Sequence, residues 1–530
     1  MIWLWACAGT VLGEHVTDSG SDTALPAGWA WGDAVSCDTP ASGLERLTEQ
    51  GSSWGLDGVL PEPESVVGEA MPGRGGNLTV SDLDGDGDLD LLAGGLDGQV
   101  DVYENLGTRF TRTRRTLVED LGNGETSSAV AAVDLDGDRL PELVWVSGGA
   151  VRVSANLGGL SFGAAVHWFH DNTVSAQTYL TAAIGDVDGD GDLDLALPGN
   201  GSVQDGYVEG AAYGGPDLVL VQEGGAFVVS DELWVEEGSL SQLAVFTDRD
   251  LDGDRDLLIA ADQGPPSAFW RNDAGSWHND AAEVGAAVEM AAMGVAVADL
   301  NGDGGLDYCL SDVGEPRCLL SDGEGGWADG AVALGLTVDE PVEGWSAGTT
   351  GWSLELADLD NDGDLDLVQA GGPEPGAYHA GVLDWPDVIW ENVGLGFDDV
   401  TAEVGFGDVA NHIGLVAADF DDDGALEVVV AGPGAAPRLW KGSCTSEHWV
   451  QVELVGPPEN TDAVGARVAL TWEGGAQLRE VHALRDQAMG PTRVHQGLGS
   501  AERVEVTVTW PDGSVVSAWV PVDRRVTVSW

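Results

Sequence analysis

The chain has 530 residues, 91 of them acidic against 21 basic, for a formal net charge of −70. A surface of that sign repels nucleic acid and anionic membranes, which excludes both as partners. With 43% hydrophobic residues, 78 glycines and 21 tryptophans the composition is not that of a disordered chain, and no apolar run is long enough to span a bilayer.

The N-terminus, Met1-Ile-Trp-Leu-Trp-Ala-Cys7, is apolar but lacks a positive flank and is short for a signal peptide. Leu4-Trp-Ala-Cys7 resembles a bacterial lipobox, which implies a lipid anchor at Cys7; another export route and a plain N-terminus are the other readings. If Cys7 is lipidated, Cys37, Cys309, Cys318 and Cys444 remain for two disulfides in an oxidising compartment. Cys309 and Cys318 flank a turn and suit a hairpin disulfide; free buried thiols are the alternative.

Seven acidic nonapeptides follow in one register, roughly 50–60 residues apart. The first is Asp82-Leu-Asp-Gly-Asp-Gly-Asp-Leu-Asp90. Oxygen side chains recur at positions 1, 3, 5 and 9, a pattern that suits a hard cation wanting about six to eight oxygens, such as Ca²⁺. The expected ligands in the first three loops are Asp82, Asp84, Asp86 and Asp90; Asp134, Asp136, Asp138 and Glu142; and Asp186, Asp188, Asp190 and Asp194. The fourth and fifth loops offer Asp248, Asp250, Asp252 and Asp256, then Asp299, Asn301, Asp303 and Asp307. The last two offer Asp358, Asp360, Asp362 and Asp366, then Asp419, Asp421, Asp423 and Glu427. Up to seven Ca²⁺ ions are expected. Glycine at position 6 permits the sharp turn, except in the second loop, where Arg139 stands. Asp-Gly runs also form ordinary turns, but seven copies in one register argue against that reading. An EF-hand is excluded: position 12 holds Ala93, Trp145, Leu197, Ile259, Leu310, Gln369 and Val430, none acidic.

Each loop lies between two short apolar runs, such as Ser128–Val133 and Glu427–Ala431, and a third and fourth strand-like run follow. Four antiparallel strands per repeat of this length predict an all-β, seven-bladed β-propeller with calcium-loop hairpins. The seventh repeat has only three strands, and Leu44-Glu-Arg-Leu-Thr48 resembles the outer strand Phe397-Asp-Asp-Val-Thr401. The N-terminal segment is therefore expected to complete the seventh blade and to bring Cys37 to Cys444.

These repeats resemble the FG-GAP/VCBS family, which includes the propeller of integrin α chains. Residues 445–530 resemble the ASPIC/UnbV domain through Asn460-Thr-Asp-Ala-Val-Gly-Ala-Arg467, Gln477-Leu-Arg-Glu-Val481, His495-Gln-Gly-Leu-Gly499 and Trp510-Pro-Asp-Gly513. Together the two resemble the cartilage acidic protein family, whose members are extracellular and calcium-binding. The domains expected are an export or anchor segment and linker at 1–39, the propeller at 40–444, and a small C-terminal β-sandwich-like domain at 445–530.

The resemblance implies an extracellular or cell-surface protein that uses Ca²⁺ structurally; with a lipid anchor at Cys7 it would be an outer-membrane lipoprotein. The broad loop surface of a propeller suggests recognition of a glycan or an extracellular protein. An envelope or matrix assembly component is the alternative, and a propeller-based polysaccharide-active enzyme a third. Gly344-Trp-Ser-Ala-Gly348 matches Gly-x-Ser-x-Gly but precedes a propeller strand instead of opening a helix. His167 and His170 read as exposed loop residues. No catalytic residue is assigned.

Overall fold

The computed structural model describes residues 26–530 apart from 38–39, 42, 61–75, 95–97, 117–128, 148, 171–176, 203–215, 231–239, 264, 338–349, 373–385, 395 and 408–409. Cys7 and the Gly344–Gly348 motif lie outside the described residues. No described helix is long and apolar enough to cross a membrane.

The protein is all-β and of the propeller class. The first repeat sheet runs Asn77–Ser81, Asp90–Gly94, Gln99–Asn105 and Phe110–Thr116. Six further sheets of four antiparallel strands follow in chain order. In the last, Gly414–Ala418, Glu427–Ala431 and Arg438–Lys441 are joined by Thr48–Glu49 from the N-terminal segment. Every acidic loop joins the first and second strands of its sheet.

Inner strands such as Ala129–Val133 are buried at every position because both faces are covered by neighbouring sheets. One apolar cluster packs Leu92 and Val102 of the first sheet on Val130 and Trp145 of the second. Another packs Leu78 and Leu91 of the first sheet on Val416 and Val429 of the seventh. Burial of each such side chain contributes about 1.5–3 kcal/mol. The crowding favours small residues: Ala131, Ala132, Ala244, Ala296 and Ala298 all sit on inner strands with essentially no exposure.

The N-terminal strand is Thr48–Glu49, pairing Thr48 with Lys441 and Glu49 with Trp440. It lies later than the expected Leu44–Thr48. A four-residue helix, Gly51–Trp54, follows it as Thr401–Val404 follows Phe397–Asp399. That aligns Leu47, not Leu44, with Phe397. A strand of two residues carries no hydrophobic period from which register can be read.

The C-terminal domain is a sandwich of two four-stranded sheets. One orders Trp29–Trp31, Arg524–Ser529, His448–Val455 and Val494–Gly499. The other orders Gly475–Glu480, Arg467–Trp472, Arg503–Thr509 and Val515–Pro521. Thus part of the segment expected to be leader and linker is an edge strand, with Trp29 buried in the sandwich core. Disulfides join Cys37 to Cys444 and Cys309 to Cys318.

Candidate metal centres beneath the C-terminal domain

Each loop is held by its own carboxylates. The position-6 N–H donates to the position-1 carboxylate in all seven, at 2.7–3.1 Å. The position-5 carboxylate accepts the position-7 N–H in all seven, at 2.8–3.0 Å. These Asx-type turns wind the backbone inward and leave further carboxylate lone pairs for a ligand.

Position 9 has a different task. Its carboxylate is buried and accepts the position-2 N–H at 2.6–3.1 Å in every loop. In six sheets it also accepts a main-chain N–H from the third strand or just past it, given by Asn105, Asn156, Gln222, Asn272, Ser321 or Asn392. Position 9 therefore ties the loop to the sheet. Burial is the main reason its acidity falls: Asp90 and Asp256 are pushed up to about 8, and Glu142, Asp194 and Asp307 to about 7. Asp366 and Glu427 are raised well above the carboxylate range by the same cause.

Carboxylate oxygens of Asp82, Asp84 and Asp86 lie within 4.8 Å of one another, as do those of Asp358, Asp360 and Asp362. In the second, third and fourth loops the grouped residues are Asp134, Asp136 and Glu142; Asp186, Asp188 and Asp194; and Asp248, Asp250 and Asp256. Such convergence of hard oxygens fits Ca²⁺. Asp138, Asp190 and Asp252 stand at position 5 of those loops and brace the following N–H. In the fifth loop Asp299 and Asp303 hold the turn, while the Asn301 amide donates to the Ser321 carbonyl at 2.9 Å. In the seventh loop Asp421, Asp423 and Glu427 contact Lys441, an arrangement that does not fit an ion.

The asparagines of the third strand were missed by sequence reasoning. The side chains of Asn105, Asn156, Asn272 and Asn392 donate to the carbonyl of position 8 at 3.0–3.2 Å. Asn105 also reaches the Phe420 carbonyl of the seventh sheet and Asn156 the Leu83 carbonyl of the first. The recurring asparagine at the end of strand three was the available signal.

The C-terminal domain lies on this loop face. Thr461 donates to Asp134, and Asp462 accepts the Asp134 N–H. Arg467 pairs with Asp248 at 2.8 Å, and Gln496 donates to Asp358 at 3.2 Å. Arg493 and Arg525 both donate to the Gly87 carbonyl. A peg from this domain, Ala488–Met489, adds in parallel to the inner strand Asn77–Ser81. The basic residues Arg467, Arg479, Arg485, Arg493 and Arg525, set in an otherwise acidic chain, were the sequence signal for this docking. His167 and His170 are exposed on the outermost strand of the second sheet, apart from the loop face.

The FG-GAP-like repeat family model matches residues 82–145, 134–197 and 248–310, and the ASPIC and UnbV model matches 456–530. Cartilage acidic protein 1 of Xenopus tropicalis is 27% identical over 277 residues, covering 49% of this chain and 40% of that protein. The Homo sapiens protein of that name is 25% identical over 492 residues, covering 83% of this chain and 69% of its own length. Among solved structures, BBS1N in its complex with ARL6DN covers 72% of this chain and 98% of its own at 12% identity and a TM-score of 0.43. The Dos1 propeller covers 68% and 77% at 9% identity and a TM-score of 0.40. FG-GAP-like repeats and an ASPIC and UnbV domain are thus both present, in a chain similar to cartilage acidic protein 1 over most of its length.

Proposed function

We propose that this protein is an extracellular or surface-anchored calcium-binding propeller that recognises a glycan or another extracellular protein, with Ca²⁺ in a structural role. The observation that supports it most is the convergence of position 1 and 3 carboxylates in loops that also meet the C-terminal domain. Bound divalent ions would relieve repulsion among these carboxylates and let the second domain sit over them. The loop face is then a structural joint, and recognition falls to surfaces outside it. The similarity to cartilage acidic protein 1 supports the extracellular setting.

Calcium stoichiometry on chelated full-length protein, with a thermal melt at each addition, tests the ion. Binding of several ions with a rise in melting temperature is expected; a melt indifferent to EDTA would overturn it. A glycan array and an extracellular-protein array, both probed in calcium buffer, test the ligand class. Specific binding on either supports recognition; silence on both, with co-purification of one envelope protein, would favour assembly instead.

A further inference from the structure

Lys441 is the only lysine in the chain. It lies on the third strand of the seventh sheet, paired in register with Glu427, the position-9 residue of the seventh loop. Its Nζ is 2.9 Å from Asp421 Oδ1, 2.9 Å from Asp423 Oδ2, and bonded to Glu427 Oε1. These are positions 3, 5 and 9, three of the four side chains that define the loop. An ammonium has three N–H donors, and here each has a carboxylate.

The fourth side chain is also engaged. Asp419 Oδ2 accepts the Gln451 amide at 2.6 Å and the Gly424 N–H at 2.9 Å. At position 4 of the same loop, Asp422 pairs with Arg525, and Arg493 lies 3.6 Å away. Cations of the chain itself thus meet this loop from two directions.

The other sheets show that this is particular to the seventh. Extending the pairs Leu91–Tyr103, Leu257–Trp270 and Leu367–Trp390 by one residue puts Glu104, Arg271 and Glu391 opposite position 9. Arg271, a cation at the equivalent place, turns away to Asp273 at 2.9 Å and Asp280. Arg467 at the fourth loop meets one carboxylate, Asp248, and leaves Asp250 and Asp256 free of it. Ca²⁺ needs about six to eight oxygens at roughly 2.3–2.6 Å; in the seventh loop the ammonium stands among those oxygens.

We propose that the Lys441 ammonium replaces Ca²⁺ in the seventh loop, so that the chain binds six ions at most and the sheet completed by Thr48–Glu49 keeps its loop when calcium is withdrawn. The claim about ion number rests on the calcium reading of the other loops; the claim about the lysine rests on its own contacts.

The test uses full-length protein and the variants Lys441→Met and Lys441→Arg. Calcium bound at saturation is counted by equilibrium dialysis and elemental analysis. Lys441→Met is expected to bind one ion more than wild type, and Lys441→Arg, which keeps the charge, the wild-type number. Acetylation of the single lysine, followed by mass spectrometry, is expected to be slow in EDTA and equally slow in calcium. Equal stoichiometry in wild type and Lys441→Met, or an amine that becomes reactive on adding calcium, would overturn the proposal. If neither wild type nor Lys441→Met binds calcium, the calcium reading of the protein fails, and the EDTA melt decides the lysine. A lower melting temperature for Lys441→Met then supports Lys441 as the loop's cation; an unchanged one refutes it.

Discussion

The Ser353 hydroxyl, on the inner strand of the sixth sheet, lies 3.1 Å from both carboxylate oxygens of Asp486, which belongs to the C-terminal domain. The same carboxylate accepts the Ala488 N–H at 2.7 Å and so shapes the peg that pairs with Leu78 and Thr79. Asp486→Ala leaves the buried Ala488 N–H without its acceptor and Ser353 with only the Leu415 carbonyl at 3.4 Å. Each unsatisfied donor costs about 1–3 kcal/mol. The expected outcome is a lower melting temperature and faster proteolysis between the domains, measured on full-length protein; an unchanged cleavage rate would show that the peg does not hold the domains together.

Arg139 adopts φ of 70° where the other six loops have glycine at 86–108°. Its N–H is needed there, donating to Asp134 at 2.7 Å. The left-handed conformation costs a side-chain-bearing residue about 1 kcal/mol or more. Arg139→Gly is therefore expected to raise stability by roughly that amount, less the added flexibility of the unfolded chain. The reverse change, Gly363→Arg, is expected to lower it. Denaturant midpoints of the two variants check both signs.

The buried position-9 carboxylates set a pH dependence. Their folded pKa values, up to about 8 for Asp90 and Asp256, lie above those of an unfolded chain, so the folded state holds more protons. Without calcium, the contribution of these groups to stability should be complete below about pH 4, the unfolded carboxylate value, and be lost as pH rises toward 8. Calcium favours the ionised form and should flatten that slope. Melts in EDTA and in calcium across this range test it; the same slope in both buffers would remove the link between position 9 and the ion.

Cys37–Cys444 closes a separation of 407 residues and fixes the N-terminal segment beside the seventh sheet. Replacing both cysteines by serine is expected to lower stability by about 2–5 kcal/mol. It should also loosen Thr48–Glu49, the two-residue outer strand, which is otherwise held by its pairing with Lys441 and Trp440 and by buried Leu47 and Trp54 on either side. Faster amide exchange at Glu49 and Trp440, with slow exchange retained in the third and fourth sheets, is the expected pattern.

Much of the propeller was legible because its signal repeats. One acidic loop predicts little, but seven in register announce hairpins, and the apolar runs on either side announce buried strands. Closure by the N-terminal segment was legible to within three residues. Leu44 and Leu47 are told apart only by the short helix Gly51–Trp54, and four residues are too few to show a period. Trp29–Trp31 was not legible as a strand, being three residues long with a partner, Arg524–Ser529, at the far end of the chain. The task of position 9 was half hidden. Its carboxyl chemistry was visible, but its two main-chain partners lie in different parts of the sheet, and only the fold brings them together. The arginines of the C-terminal domain hint at docking on an acidic face, but which carboxylate each one meets, as Arg467 meets Asp248, is set by the fold and by no local pattern.

The pairing of Trp29–Trp31 with Arg524–Ser529 also constrains the order of synthesis. Trp29–Trp31 leaves the ribosome long before its partner and finds it only when Arg524–Ser529 has been made. The sandwich core around Trp29 therefore cannot be completed before Arg524–Ser529 has emerged, and neither can the peg or the contacts over the loops that depend on that domain. The repeat sheets can form one after another as they emerge, but the sandwich is assembled only after all of them have been made. A nascent chain thus carries its acidic loops uncovered until Arg524–Ser529 has emerged.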